Sequence, residues 1–226
     1  MDEPQPVKVV LLGESSVGKT SIINQFTAKK FNVHCTTTVT AQFISKVLTF
    51  PEFGKSIQFN IWDTVGQEKY RSLAKIYYKD AKVIIFVYDI TKKFSFDSIK
   101  DYWYKETNNN IDGHPLIALV ANKVDLYENQ QVDTKEGRAF ADEINAIFQS
   151  TSAKNDSGIN TLFENIGKKI IIPEYDYKNT DGKALQEYIK ISQGRKNEKP
   201  ENKEHNIKLK KKNTNEIKET NKRKCC

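Results

Sequence analysis

The sequence has little cysteine and no long apolar run, and these shortages exclude several classes of protein. Only three of the 226 residues are cysteines, namely Cys35 and the last two, Cys225 and Cys226. Such a set cannot form the disulfide framework of a small secreted domain, so we expect an intracellular protein. The longest apolar run covers residues 83–88, far short of the roughly 20 residues that span a bilayer.

Metal-site and N-terminal signals are missing as well. The three histidines, His34, His114 and His205, do not have the spacing of a metal site. The first six residues, MDEPQP, are acidic and poor in apolar side chains, so we expect no signal peptide. Asp2 stands where N-myristoylation needs a glycine.

Excess positive charge is confined to the end of the chain. Residues 195–226 hold 12 Lys and Arg against five Glu, which accounts for the whole formal net charge of +7. The rest of the chain is formally neutral, so a basic folded surface for nucleic acid is not expected. Lys, Asn and Glu dominate from residue 178 onward, which predicts a disordered tail with one short helical pattern at residues 184–191.

Apolar runs alternate with helical patterns over the first 173 residues. Strands are predicted at residues 7–12, 42–50, 57–62, 83–88, 116–121 and 147–151. Helices are predicted at residues 19–28, 67–79, 94–110, 134–145 and 159–171. Strands this apolar need cover on both faces, so we predict an α/β fold with a doubly wound, six-stranded, mostly parallel sheet. Ligands of such sheets bind at the carboxyl ends of the strands.

The motif GESSVGKT follows the first predicted strand and precedes the first predicted helix. It fits the P-loop pattern, whose glycines let the loop curl so that N–H groups face phosphate oxygens. Lys19 is expected to neutralise the β- and γ-phosphates, and the Thr20 hydroxyl to bind Mg²⁺. The loop predicts a P-loop NTPase but does not separate ATPases, kinases and GTPases. The predicted phosphate-side residues are Gly13, Glu14, Ser15, Ser16, Val17, Gly18, Lys19, Thr20 and Ser21.

A second motif, WDTVGQE at residues 62–68, follows the third predicted strand. Asp63 at the end of that strand is expected to hold Mg²⁺ through water. Gly66 lets the backbone approach a γ-phosphate, and Gln67 is the candidate catalytic residue because it can orient the attacking water. Alone the motif is equally typical of a solvated turn, and its position after the P-loop favours function.

Two further motifs predict recognition of guanine. In NKVD at residues 122–125, the Asp125 carboxylate can accept two hydrogen bonds from guanine that adenine does not offer. Asn122 can bond the base and the loop, and the stem of Lys123 can cover the ring. In TSAK at residues 151–154, the backbone N–H of Ala153 can meet the guanine oxygen. The predicted base-side residues are Asn122, Lys123, Asp125, Ser152, Ala153 and Lys154.

With these motifs the chain resembles a Ras-superfamily small GTPase over roughly residues 6–172, and most of all the Rab branch. The branch is indicated by IWDTVGQEKYRSL, IYYKDA, VYDIT and the terminal Cys-Cys. The resemblance implies that Phe31 flanks the guanine and that Thr38 binds Mg²⁺ and the γ-phosphate. It also implies that Phe43, Trp62 and Tyr77 contact effectors, although core packing explains Phe43 and Tyr77 equally well.

The resemblance implies a molecular switch in vesicle trafficking that uses GTP, GDP and Mg²⁺. Its expected partners are an exchange factor, a GTPase-activating protein, Rab escort and GDP-dissociation-inhibitor proteins, and GTP-dependent effectors. Prenylation of Cys225 and Cys226 would anchor it to the cytoplasmic face of an intracellular, endosomal-type membrane, with a cytosolic pool. The implied domains are a flexible N-terminus (1–6), a monomeric GTPase domain (7–173) and a basic, mostly disordered tail (174–226).

Two positions depart from the Rab pattern. Thr40 stands where Rabs usually carry glycine, which we expect to narrow the choice of partners. Val65 stands where the family has alanine, and its extra methyl groups predict slower hydrolysis with GTP still bound. The alternatives are therefore a GTP-bound interaction module that hardly hydrolyses, or a Ras-like switch outside the Rab branch. NKVD disfavours a P-loop nucleotide kinase.

Overall fold

The computed structural model describes residues 3–33, 38, 41–64, 71–111 and 113–178, and for residues 71–74 the backbone alone. The tail from residue 179, with the helical pattern at 184–191 and both terminal cysteines, lies outside the described residues. So do residues 65–70, which include Gly66 and Gln67.

In the described part of the chain, six strands form one sheet in the order β2-β3-β1-β4-β5-β6, in which only the β2–β3 pair is antiparallel. This confirms the predicted α/β fold with its mostly parallel sheet. The strands are β1 (Gln5–Leu12), β2 (Gln42–Phe50), β3 (Lys55–Asp63), β4 (Val83–Asp89), β5 (Leu116–Asn122) and β6 (Ile147–Thr151). The helices are α1 (Lys19–Ala28), α2 (Arg71–Tyr78), α3 (Lys93–Ser98), α4 (Tyr104–Asn110), α5 (Thr134–Glu143) and α6 (Ile159–Ile171).

Helices cover both faces of the sheet, which explains why its central strand is apolar throughout. All seven residues of β4 are buried. Because successive strand residues point to opposite faces, Ile84, Phe86 and Tyr88 join a core with Phe96 and Trp103 from the next helical segment. On the opposite side, three aromatic rings from α1, β3 and α6 pack together, Phe26, Phe59 and Phe163.

The helix predicted at residues 94–110 contains an irregularity that the sequence pattern does not show. A π-turn (Ile99–Trp103) joins α3 to α4 without leaving the right-handed helical region at Ser98 or Tyr104. A π-turn inserts one extra residue into a helix and redirects the side chains on either side of it. Here it changes which side chains of this helix face the first strand–helix loop.

The chain continues to pack on the sheet after α6, beyond the boundary predicted at residue 173. The Tyr177 hydroxyl donates to the carbonyl oxygen of Ala146 at 3.0 Å and accepts from the N–H of Phe148 at 3.1 Å. Lys178 forms an ion pair with Asp142 at 2.5 Å. These contacts fix the first residues of the C-terminal segment beside the edge strand β6.

Candidate nucleotide-binding site

The carboxyl ends of the parallel strands bring the four sequence motifs to one edge of the sheet. A cleft of about 430 Å³ opens there, within the size range of small-molecule sites. Most of the predicted nucleotide-binding residues line it: Ser15, Ser16, Gly18, Lys19, Thr20, Ser21, Phe31, Thr38, Asn122, Lys123, Asp125, Ala153 and Lys154. Val17 and Ser152 are buried behind the lining, and Glu14 is also buried.

Two glycines allow the phosphate loop, residues 13–20, to adopt its curled shape. Gly13 and Gly18 have φ of 143° and 101°, in the region that L side chains rarely adopt. A Cβ atom on Gly13 would lie 2.2 Å from the carbonyl oxygen of Val87. One on Gly18 would lie 2.3 Å from the side-chain nitrogen of Asn122. Gly18 therefore packs directly against the Asn122 side chain of the NKVD loop.

Lys19 is held at the centre of the phosphate loop. Its ammonium group donates to the carbonyl oxygens of Gly13 and Glu14, each at 2.8 Å. Burial lowers the pKa of Lys19 to about 8, although the charges of Asp63 and Glu14 raise it. Anionic phosphate oxygens in the cleft would favour the charged form further, so the loop presents a cation suited to an anionic ligand.

Asn122 ties the base side of the cleft to the phosphate loop. Its amide nitrogen donates to the carbonyl oxygen of Val17 at 2.8 Å, and its amide oxygen accepts from the Thr151 hydroxyl at 3.0 Å. The side chain is almost fully buried. One residue thus joins β5, β6 and the phosphate loop, and each bond costs stability if it is left unmade in the interior.

Lys123 makes a second link to the same loop. Its ammonium group donates to the carbonyl oxygen of Ser16 at 2.8 Å and forms an ion pair with Asp89 at 2.7 Å. Ser16 and Lys123 both have positive φ, 62° and 67°, which is unfavourable for residues with a Cβ and persists where surrounding contacts require it. The two strained residues are bonded to each other.

Sequence reasoning did not identify Asp89 as a site residue, although it ends β4 within the VYDIT segment. Its carboxylate is buried and accepts from the backbone N–H and the hydroxyl of Thr91, at 2.9 and 2.7 Å. The ion pair with Lys123 therefore uses a carboxylate whose position is already fixed. The sequence feature that could have identified Asp89 is its position as a charged residue directly after the entirely apolar run at residues 83–88.

Asp125 faces the cleft in a fixed orientation. One of its carboxylate oxygens accepts a hydrogen bond from the Ser152 hydroxyl at 2.6 Å, and that hydroxyl also accepts from the backbone N–H of Asn155 at 3.1 Å. Ala153, the next residue, lines the same cleft. The NKVD and TSAK motifs are therefore adjacent, as guanine recognition requires.

Three oxygen-bearing side chains meet at the opposite end of the cleft. The Thr20 hydroxyl donates to Asp63 at 2.6 Å, so the Thr38 hydroxyl, 2.8 Å away, donates to Thr20. Asp63 is fully buried, and burial raises its pKa against the opposing effects of Thr20, Lys19 and Thr38. Among the described residues its other carboxylate oxygen has no hydrogen-bond partner.

This donor set fits Mg²⁺. Magnesium prefers hard oxygen ligands and is usually bound by one or two carboxylates together with substrate phosphates and water. Within the part of the chain that the structure describes, no three His, Cys, Asp or Glu side chains gather as an all-protein metal cage would require. One carboxylate and two hydroxyls beside a phosphate loop match a cation that is shared with a nucleotide.

Comparison with known proteins agrees with this geometry. Residues 8–172 match the sequence model of the Ras family. The Ras-related protein RabJ of Dictyostelium discoideum is 40% identical over 169 residues, which are 75% of this chain and 65% of that protein. Ras-related protein Rab-21 of Bos taurus is 41% identical over 164 residues, 73% of this chain and 72% of that protein.

The chain belongs to the Ras family, as a small GTPase of the Rab branch. The Rab-21 protein of Homo sapiens is 40% identical to this GTPase over 164 residues. The family assignment confirms the predicted class, a GTP-hydrolysing enzyme, and excludes a P-loop kinase.

The three aromatic residues predicted to contact effectors of this GTPase lie together on the surface beside β2, β3 and α2. The Phe43 and Trp62 rings are 5.3 Å apart, and those of Trp62 and Tyr77 are 5.8 Å apart. Phe43 is 53% exposed, whereas Trp62 and Tyr77 are half-buried against the core. The structure thus groups the trio but buries its members unequally.

Several predicted residues of the GTPase cannot be placed. Gly66, Gln67 and Val65 lie outside the described residues, as does Thr40. Cys225 and Cys226 also lie outside them. The roles assigned to these residues remain predictions from the sequence.

Proposed function

We propose that this GTPase binds GTP and GDP with Mg²⁺ and alternates between the two forms to regulate vesicle traffic. The observation that carries the proposal is the pair of hydrogen bonds from Asn122 and Lys123 to the phosphate loop, at Val17 and Ser16. They hold a base-selecting loop and a phosphate-binding loop as the two ends of one cleft. That arrangement suits a nucleotide better than a phosphate or a base alone.

Guanine selection is assigned to Asp125. Its carboxylate, oriented by Ser152, can accept hydrogen bonds from the N1–H and 2-amino groups of guanine. Adenine offers no such pair of donors, and a desolvated carboxylate left without donors is costly. Phe31 lines the cleft and is 39% exposed, which supports its proposed role in covering the base.

The hydrolytic step is assigned to the other end of the cleft. Lys19 binds the β- and γ-phosphates, and Thr20, Thr38 and Asp63 hold Mg²⁺. The cation, when bound, neutralises charge that develops on the phosphate oxygens. Gln67 orients the attacking water. The motif set contains no arginine finger, so an activating partner would supply one, with a gain of roughly a thousandfold or more.

Competition binding tests guanine selection. We expect GDP and GTP to displace a fluorescent guanine nucleotide from the protein. ATP should fail to displace it even at a concentration about a thousandfold higher. Asp125→Asn should weaken GTP binding by about a thousandfold, because an acceptor becomes a donor opposite the guanine N–H groups. Glu128→Gln, at an exposed carboxylate of the neighbouring turn, is the matched control. Equal displacement by ATP and GTP would contradict the assignment.

The rate of hydrolysis depends on Val65. We propose that its two extra methyl groups, compared with the alanine of the family, slow hydrolysis while GTP stays bound. Single-turnover hydrolysis should accelerate roughly tenfold in Val65→Ala, a gain of about 1.4 kcal/mol in transition-state stabilisation. Val47→Ala, at an exposed site on β2, controls for loss of a valine side chain. Equal hydrolysis rates in wild type and Val65→Ala would contradict the proposal that Val65 slows hydrolysis.

The second candidate function is a GTP-bound interaction module with very weak hydrolysis, and Val65 is the residue that favours it. In that case the aromatic surface of Phe43, Trp62 and Tyr77 would still bind effectors, but release would depend on an activating protein. Exchange factors, activating proteins, escort proteins and GDP-dissociation inhibitors are the proposed regulators. A hydrolysis rate that only an activating partner makes measurable would support this second reading.

Membrane attachment is assigned to prenylation of Cys225 and Cys226. Over the described residues, no helix has the length and apolarity to cross a bilayer. Two prenyl chains give stable attachment where one gives marginal binding, and each nearby Lys or Arg adds ~1 kcal/mol on an anionic surface. Imaging a tagged chain and its Cys225→Ser, Cys226→Ser variant tests this and shows the organelle. An unchanged membrane pattern in the variant would refute the anchor.

A further inference from the structure

Glu14 is a phosphate-loop residue whose side chain turns away from the cleft. It is only 8% exposed, and its carboxylate accepts hydrogen bonds from Ser98 and from the indole N–H of Trp103. The Trp103 bond measures 3.3 Å. Both donors lie more than 80 residues further along the chain, in the helical segment beyond β4.

The π-turn explains how the two donors reach the same oxygen. Ser98 and Trp103 are five positions apart, a spacing that a regular α-helix does not place on one face. The π-turn (Ile99–Trp103) follows the i to i+5 pattern, which brings residues five apart into alignment. Such turns concentrate at functional sites. The π-turn thus lies where the helical segment donates its hydrogen bonds to Glu14 of the phosphate loop.

The backbone of Glu14 also contacts Lys19, the phosphate-binding residue of the loop. Its carbonyl oxygen is one of the two that accept from the Lys19 ammonium, at 2.8 Å. A residue fixed at its side chain therefore fixes a carbonyl that orients the phosphate-binding cation. Trp103 is itself fully buried, and its carbonyl oxygen accepts from the Thr107 hydroxyl at 2.9 Å in α4.

We propose that Glu14 is a positioning residue: its carboxylate, held by Ser98 and Trp103 across the π-turn, fixes the phosphate loop in the shape that retains nucleotide. The inference rests on the proposed function, since it concerns the same cleft. It assigns the side chain of Glu14 a task that the P-loop pattern leaves open, because that position of the pattern accepts any residue. It also makes the α3–α4 segment a support of the nucleotide site.

GDP dissociation tests the proposal. Glu14→Ala should release a fluorescent GDP about tenfold faster, because the loop loses hydrogen bonds to a charged group. Glu14→Gln keeps an acceptor of the same shape and should restore the rate to within about threefold of wild type. Ser98→Ala removes one donor from the opposite side of the contact and should give an intermediate rate.

Thr107→Ala is the matched control for general destabilisation. Thr107 is as buried as Trp103, and its hydroxyl donates to the carbonyl oxygens of Trp103 and Tyr104 within its own helical segment. The variant should lower the melting temperature as Glu14→Ala does and leave GDP dissociation unchanged. Equal dissociation rates in Glu14→Ala and Thr107→Ala would overturn the proposal.

Tryptophan fluorescence gives a readout that needs no nucleotide. The chain has two tryptophans, so in a Trp62→Phe parent all emission comes from Trp103. Adding Glu14→Ala should shift that emission in nucleotide-free protein, and adding Glu14→Gln should restore it. A shift with unchanged GDP dissociation would overturn the positioning role. Failure of the wild type to bind GDP would refute the proposed function, and with it this inference.

Discussion

The two ends of the cleft are built differently, although one nucleotide is proposed to occupy both. At the base end, Asn122 and Lys123 bond to backbone carbonyls of the phosphate loop, and Asp125 bonds to Ser152. At the magnesium end, the oxygens of Thr20, Thr38 and Asp63 bond chiefly to one another.

The difference separates binding from switching. Hydrogen bonds from the base end run to backbone carbonyls of the phosphate loop, so in the proposed function they would be present with either GDP or GTP. In the proposed complex, Mg²⁺ would take the Thr20 oxygen that now accepts from the Thr38 hydroxyl, so this hydrogen bond would be exchanged when the cation binds. On the proposed function, such a cleft would hold the base in a preorganised site and would leave the γ-phosphate end to change with its ligand.

Gly18→Ala should have the largest effect, because Gly18 packs against Asn122, which bonds the base end to the phosphate loop. A methyl group there would overlap the Asn122 side chain, and the backbone would be strained at φ of 101°. We expect GDP affinity to fall by about a thousandfold or more, which corresponds to the combined loss of several hydrogen bonds. Isothermal titration measures it. Gly113→Ala is the control, since Gly113 has φ of 88° with nothing within 4 Å of the added methyl. An equal loss of GDP affinity in both variants would mean that backbone strain, and not overlap with Asn122, is responsible.

Thr38→Val tests the magnesium end alone. The isosteric change removes a hydroxyl that bonds to Thr20, so we expect the Mg²⁺ requirement for bound GTP to rise about tenfold. GDP binding should be unchanged, because the base end is intact. Magnesium titration of nucleotide dissociation measures both. Thr49→Val, at an exposed site on β2, should have no effect. An equal loss of GDP and GTP would contradict the separation of the two ends.

Asp89→Asn should have the smallest effect of the three substitutions, and it tests the base end alone. The change keeps the size of the side chain but removes the charge that pairs with Lys123. We expect GDP dissociation to accelerate roughly fivefold, about 1 kcal/mol, with the Mg²⁺ requirement unchanged. Asp97→Asn is the control, because its pair with Lys93 is exposed and contributes little. A change in the Mg²⁺ requirement would show that the ends are coupled through Asp89.

Much of the fold and site follows from local pattern. The short, entirely apolar run at residues 83–88 favours a central strand, and GESSVGKT between a strand and a helix favours a phosphate loop. Asp125 and Thr20 carry their chemistry in their motifs. These predictions needed no knowledge of which distant segments meet.

What the sequence could not show depends on contacts between distant segments. The π-turn (Ile99–Trp103) does not show in the apolar spacing of residues 94–110, which matches that of an ordinary helix. Glu14 meets Trp103 only after the sheet has formed, and Asp89 meets Lys123 only where β4 and β5 end side by side. Each of these involves a charged or polar group whose burial is decided by tertiary structure.

The Tyr177 contact affects whether another chain can pair with the edge strand β6. An edge strand offers unpaired N–H and C=O groups that another chain can extend into a longer sheet. At the start of β6, one phenolic oxygen satisfies the carbonyl of Ala146 and the N–H of Phe148, the pair of groups that an added strand would use. A strand added at the start of β6 would therefore have to displace the Tyr177 hydroxyl, a side-chain group from beyond the last helix, before it could pair there.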